Sequence, residues 1–192
     1  MTKAERTRQF IIEQSAPLFN TKGVAGTAMS DIMEATKMAK GGLYGHFDSK
    51  EDLSHAVVDY CLNTVAEKMA CVLNQQKTAQ GKLFAYIDFH TEPTVAGGCP
   101  MANFGMEADD TNPVINQKIK TSINRSVKTI TDIINSGIEA GEFKDNINAQ
   151  DFALKIFAML EGGVMMTRVA GTNNQMGTII KLLKTEIEEK LM

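Results

Sequence analysis

The sequence predicts an all-α protein, with a small N-terminal three-helix unit of helix-turn-helix spacing joined to a larger helical domain. Three observations carry this expectation. Apolar residues recur every three or four positions along almost every segment, no run alternates as a half-buried strand would, and several helix starts are written out in capping residues.

The elements follow in order. The first helix is expected from about Lys3 to Thr21, with Thr2 and Glu5 spaced as a capping box and Ile12, Ala16 and Phe19 on one face. Gly23 should stop it, and Pro17 should kink it, because a mid-helix proline loses a backbone hydrogen bond. Two short helices follow, at roughly Met29 to Ala35 and Lys40 to His46, and neither could stand alone. Ser49 reads as the N-cap of a long helix to about Leu73, with Glu51 and Asp52 in the first turn, where the helix dipole favours them.

After the polar joint "NQQKTAQG" come "KLFAYIDFHTE", a Gly- and Pro-marked break at "VAGGCP", and the short segment "MANFGMEAD". Asn112 then caps a long helix with Pro113 in its first turn, which Gly137 and Gly141 should weaken. Two final helices, "AQDFALKIFAMLEGGVMMTRVA" and "MGTIIKLLKTEIEEKLM", complete the chain. No flexible linker separates head from body. The boundary is therefore placed inside the fourth helix, giving domains 1–56 and 57–192.

A chain of 192 residues with 43% hydrophobic side chains can bury real cores. Nothing resembles a signal peptide and no apolar run is long enough to cross a bilayer, so the expected location is cytoplasmic, with no membrane partner. Cys61, Cys71 and Cys99 have spacings of neither a disulfide framework nor a metal knuckle and are read as thiols. A net charge of -3 excludes wholesale coating of nucleic acid, but residues 1–56 balance seven Lys and Arg against seven Asp and Glu. A local basic set remains there, small enough to need doubling by a second subunit.

That set lies in "KGGLYGHFDSKEDL", Lys40 to Leu53. A short helix, a tight turn and a second short helix, braced by a preceding helix, can offer the second helix to a major groove. Phe19, Ile32, Leu43 and Phe47 would make a miniature core beneath it. Gly41, Gly42 and Gly45 have poor helix propensity, yet without Cβ atoms they let the backbone approach a DNA surface. Tyr44 and His46 can reach phosphates, Lys50 adds charge near a helix N-terminus, and Thr27, Lys37 and Lys40 are further contact candidates. Competing chemistry is weak. The glycines lack the strand and loop of a phosphate-binding motif, His46, His55 and His90 define no metal site, and "EADD" at 107–110 reads as a solvated helix end. No nucleophile, base and orienter arrangement emerges, so no enzyme, metal or cofactor is expected.

The stretch Gly23 to Leu53 closely resembles the N-terminal DNA-binding domain of the TetR family of transcriptional regulators, through "LF...KG" at Leu18 to Gly23, the approach past Thr27 and Met33, and "KGGLYGHFDSKEDL". Two departures stand out, Ala28 and Ala39, where the family often has Ser or Thr. The resemblance implies a homodimeric repressor that binds a palindromic operator in double-stranded DNA and is released by an unidentified small-molecule or electrophilic effector; a ligand-dependent activator is the alternative within the family, and a helical enzyme or a protein-interaction module are the alternatives outside it. It also implies that Lys40, Gly41, Tyr44, His46 and Lys50 contact DNA. Two heads reading two half-sites require a symmetric pair. The expected interface is the last two helices, through Phe152, Ile156, Met159, Leu160, Gly163, Val164, Ile180, Leu183 and Ile187, with Gly162 beside Gly163 permitting close approach; internal core is the other reading. Phe84, Ile87, Phe89, Met101, Phe104, Met106, Ile123, Phe157 and Met165 are soft or aromatic candidates for lining an effector pocket, and could equally fill a core. Cys99, ahead of Pro100, sits where a subgroup of TetR-like repressors carries a similar Gly-Cys element and some members sense electrophiles or oxidants.

Overall fold

A computed structural model describes residues 1–92 and 95–192. Among the described residues there are nine α-helices: α1 (Lys3–Gly26), α2 (Met29–Thr36), α3 (Lys40–Tyr44), α4 (Lys50–Asn74), α5 (Ala79–Asp88), α6 (Pro100–Ala108), α7 (Pro113–Glu139), α8 (Ala149–Ala170) and α9 (Asn174–Lys190). A single 3-10 turn, Phe89–Thr91, extends α5. The chain divides into two compact units, one of Met1–Val65 with Val95–Lys120, the other of Ala66–Thr94 with Thr121–Met192. Packing thus draws α6 and the start of α7 into the same unit as the head, a grouping that the linear boundary at residue 56 does not contain. Nothing in "VAGGCP" signals such a partnership, because its cause is a set of long-range hydrogen bonds described below.

The first unit is built on the predicted caps. The Thr2 hydroxyl accepts from the Glu5 amide and the Glu5 carboxylate accepts from the Thr2 amide, so α1 starts with a complete capping box. Pro17 is accommodated inside α1, and the non-helical residue is instead Gly23, at φ 78°. Ser49 accepts from the Asp52 amide to start α4, and Asn112 accepts from the Ile115 amide to start α7. Ile11, Phe19, Ile32, Leu43, Leu53 and Val57 are fully buried, and Phe104, Ile115 and Ile119 belong to the same unit's core. Each such side chain is worth about 1.5–3 kcal/mol in transfer from water, which is what holds helices too short to persist alone.

In the second unit α8 and α9 pack together along one stripe each. Ala153, Ile156, Leu160 and Gly163 of α8 are buried with Met176, Leu183 and Ile187 of α9. Gly163 faces inward, where an added Cβ would come within 2.9 Å of the Met176 methyl. α7 runs straight through Gly137 and ends only at Glu139, before Gly141 at φ 71°. Gly137 is a packing requirement and no weak point: an added Cβ there would sit inside the Phe143 ring and against Ala79, because the Glu142 and Phe143 amides turn back to the Gly137 carbonyl.

Candidate nucleic-acid interface

Local sequence sets both ends of the short helix α3. α3 starts at Ala39, which offers no side-chain cap, and is held by Gly42 and Leu43 amides donating to the Ala39 carbonyl at 2.9 and 3.3 Å. It ends at Tyr44 and not at the expected His46, since Gly45 and His46 close a turn in which the His46 and Phe47 amides both donate to the Leu43 carbonyl. Leu43 points into the core, and Phe47 lies beneath the Arg8 guanidinium, 4.4 Å from its ring centroid. That contact pins the turn after α3 to α1. Nothing in the periodicity of α1 marks Arg8 as its provider.

With the inner face so occupied, Lys40, Gly41, Tyr44 and Gly45 are exposed together and His46 is half-buried beside them. Lys40 and Tyr44 are one turn apart, the ammonium 5.8 Å from the phenol ring centroid, so charge and hydroxyl share one ridge. An added Cβ at Gly41 would meet nothing within 4 Å, and neither Gly41 nor Gly45 has a positive φ. The chain's own backbone and packing therefore make no demand for glycine at position 41. Lys37 projects from the α2–α3 turn in the left-handed region at φ 57°, a conformation that costs a non-glycine residue roughly 1 kcal/mol or more.

Two contact candidates are corrected or qualified. Thr27 is completely buried and its hydroxyl donates to the Gly23 carbonyl at 2.7 Å, so its side chain cannot reach a phosphate; the break at Gly23 turns a nominal surface residue into an internal tie. Lys50 is half-buried and its ammonium donates to the Thr27 carbonyl at 2.8 Å, fastening the start of α4 to the segment before α2. The missing cap at Ala28 is met from the other side, since the Asp31 carboxylate accepts from the Ala28 amide and pairs with Lys22 at 2.9 Å. The Lys22 hydrogen bond, with the Ala28 amide second, holds the Asp31 carboxyl below its ordinary value.

Two proteins of known structure share this fold across its whole length. A TetR transcriptional regulator from Chloroflexus aurantiacus is 37% identical with a TM-score of 0.95, covering 100% of this chain and 98% of that one. A TetR-family regulator from Cytophaga hutchinsonii is 32% identical at a TM-score of 0.94, again covering 100% and 98%. The family profile described as bacterial regulatory proteins, tetR family, matches residues 11–57, and that described as tetracyclin repressor-like, C-terminal domain, matches residues 82–183. The chain belongs to the TetR family. Among curated relatives, the HTH-type transcriptional repressor DhaR of Mycobacterium sp. (strain GP1) is 23% identical over 163 residues, 84% of this chain and 82% of DhaR. As a TetR-family protein, this chain is a DNA-binding regulator, and α2–α3 is its helix-turn-helix.

The TetR-type C-terminal region sorts its nominated residues differently from the sequence reading. Ile156, Leu160, Gly163, Leu183 and Ile187 are buried within one chain and so are core, not interface; α8 and α9 satisfy that stripe with each other. Phe152, Met159, Val164 and Ile180 are half-buried. Among the effector candidates, Met106 and Met165 are 83% and 60% exposed and line no interior, because each falls on the outward side of its helix. Ile87 and Phe104 are completely packed, Met101 and Phe157 nearly so, and Phe84, Phe89 and Ile123 are half-buried. A cleft of about 290 Å³ lies elsewhere, lined by Ile147, Asn148, Asp151, Phe152, Lys155, Glu186 and Lys190. Glu186 pairs there with Lys155 and Lys190, each at 2.7 Å, and its carboxyl is held below the ordinary range by them.

The thiols differ in surroundings. Cys61 is buried and desolvation pushes it up to about 12, leaving it inert, whereas Cys71 is exposed and Cys99 stands half-buried at the N-cap of α6. Among the described residues no cluster of three His, Cys, Asp or Glu forms a metal site, and no helix is long and apolar enough to cross a membrane.

Proposed function

We propose that the protein is a homodimeric repressor that reads a palindromic operator through α3 and releases it when a small molecule binds its C-terminal domain. The observation that carries the DNA-reading part is Gly41: an exposed glycine in an ordinary helical conformation, with open space where its Cβ would be, beside Lys40 and Tyr44 on one ridge. An intramolecular reason for it is lacking, and close approach of a second molecule supplies one. Gly41→Ala should raise thermal stability by about 0.5–1 kcal/mol, the helix-propensity gain, while weakening operator binding. Stability and binding moving in the same direction would remove this reading of Gly41.

The paired state is supported by what α8 and α9 leave outside. Leu154, Met165, Met166 and Val169 of α8 and Leu182 of α9 are exposed, and Gly162 and Gly177 present bare backbone with nothing within 4 Å of an added Cβ. Such a stripe, apolar and partly bare, suits helix-on-helix contact with a second copy. A symmetric pair also doubles the modest basic footprint of the head.

The test is selection from random duplex DNA by the full-length protein at low and moderate salt. Enriched sequences should contain two inverted half-sites, and affinity should fall linearly on a logarithmic salt scale as counterions are released. Failure to enrich paired half-sites would sink the operator reading. Addition of candidate small molecules to the bound complex then distinguishes release from strengthened binding, and so repressor from ligand-dependent activator.

A further inference from the structure

We propose that Glu107 is a positioning residue for DNA reading: from α6 its carboxylate caps the chain where α1 breaks, fixing the segment that leads into the helix-turn-helix. This rests on the DNA-reading function above. At Gly23 the helical hydrogen-bond pattern is interrupted, and the amides beyond the break lose their partners four residues back. Glu107 Oε2 accepts from the Val24 amide and Oε1 from the Ala25 amide, both at 2.7 Å. These are short, charge-assisted bonds, made by an anion where exposed N–H groups begin a new turn.

Gly23 is built for this guest. A Cβ there would stand 2.7 Å from Glu107 Oε2, and its φ of 78° is one that L side chains rarely adopt. A second tie from α6 lies one turn back along α1. Asn103 Nδ2 donates to the Asn20 carbonyl, to Asn20 Oδ1 and to the Gly97 carbonyl at 2.8–3.0 Å, while the buried Asn20 side chain donates from Nδ2 to the carbonyls of Ala96 and Gly98. Asn103 and Glu107 are four residues apart on one face of α6, so both reach α1 together.

From the capped amides the path to the reading helix is short. Thr27 closes back onto the Gly23 carbonyl, its own carbonyl receives the Lys50 ammonium, and Lys22 holds Asp31 at the start of α2. Those three ties come from within residues 1–56; Glu107 and Asn103 come from outside them. With the Glu107 carboxylate removed, residues 24–27 keep their sequence but lose the two bonds that orient them, and the helix-turn-helix gains freedom that DNA binding must then remove.

The experiment uses full-length wild type, Glu107→Gln and Glu107→Ala, and reads thermal melting, amide hydrogen exchange at Val24 and Ala25, and binding to the selected operator. In Glu107→Ala the two amides should exchange at least about tenfold faster while a cooperative melt is retained, and the operator Kd should rise about tenfold. Glu107→Gln keeps an acceptor oxygen of the same reach and should fall between; it carries the test if the alanine variant does not fold. The slope of affinity against salt should match wild type, because no phosphate contact is removed. Unchanged exchange at both amides, or faster exchange with operator affinity within about twofold of wild type, overturns the positioning role. A wild-type chain that binds no duplex overturns the DNA reading and with it the use of this cap, whereas intact wild-type binding with indifferent variants overturns the cap alone.

Discussion

A Lys40→Ala, Tyr44→Ala double variant is expected to bind the operator about one hundredfold more weakly than wild type while melting at nearly the same temperature. Both side chains are exposed on α3, and neither contributes to the core formed by Leu43 and Phe47. Their removal therefore costs the fold little: surface substitutions of this kind stay within about 0.5 kcal/mol. The binding loss is larger because it is taken twice in a symmetric pair. Four lost hydrogen bonds to phosphate or base at roughly 0.7 kcal/mol each give about 2.8 kcal/mol, or one hundredfold. Fluorescence anisotropy on the selected duplex, with circular dichroism melts alongside, makes the comparison. The salt slope should also shrink by about two, one for each lost lysine contact. Affinity within threefold of wild type, with an unchanged slope, would move the reading surface away from this ridge.

Leu182→Asp should convert the proposed dimer to a folded monomer and reduce operator binding by about 10²–10⁴-fold. Leu182 is 56% exposed on α9, so a carboxylate there remains hydrated in the single chain and leaves the α8–α9 core intact. In a symmetric interface the substitution enters from both subunits, and two charges would have to be desolvated in an apolar stripe. Loss of the pair removes the tethering of one head by the other, which is where the large factor comes from. Ile187→Ala is the contrasting change: buried against α8, it should lower stability by about 2–5 kcal/mol through a cavity, without selectively shifting the monomer–dimer equilibrium. Analytical ultracentrifugation separates the cases. A Leu182→Asp protein that sediments as a dimer would place the interface on another face.

Much of the fold was legible because it is written locally. Thr2 with Glu5, Ser49, and Asn112 with Pro113 announce helix starts through hydrogen bonds that span three or four residues, and each cap forms as expected. The apolar positions 19, 32, 43 and 47 fall in one core because helical spacing fixes which face they share. The stretch "AQDFALKIFAMLEGGVMMTRVA" coincides with α8, which the structure caps with Asn148 and stops at the left-handed Gly171.

The misplaced residues have a common cause. Ile156, Leu160, Leu183 and Ile187 form a stripe that periodicity marks as buried, but periodicity is silent on whether the covering surface comes from the same chain or a second copy. Side-chain chemistry alone favours Met106 and Met165 for a pocket, but their outward direction depends on how each helix is rolled. Thr27 looked like a surface hydroxyl until the break at Gly23 supplied its carbonyl partner.

By itself, then, the sequence determined the helix order, the caps, the miniature core and the exposed ridge of Lys40, Gly41 and Tyr44, all of which depend on neighbours within a few residues or on a repeated helical period. Only the tertiary structure decided that α6 is fastened to α1, that Gly23 makes room for the Glu107 carboxylate, and that α8 and α9 consume the apolar stripe nominated for a partner. The physical reason is separation along the chain. Glu107 lies 82 and 83 residues from the amides it caps, and no local pattern encodes which distant backbone N–H a carboxylate will meet.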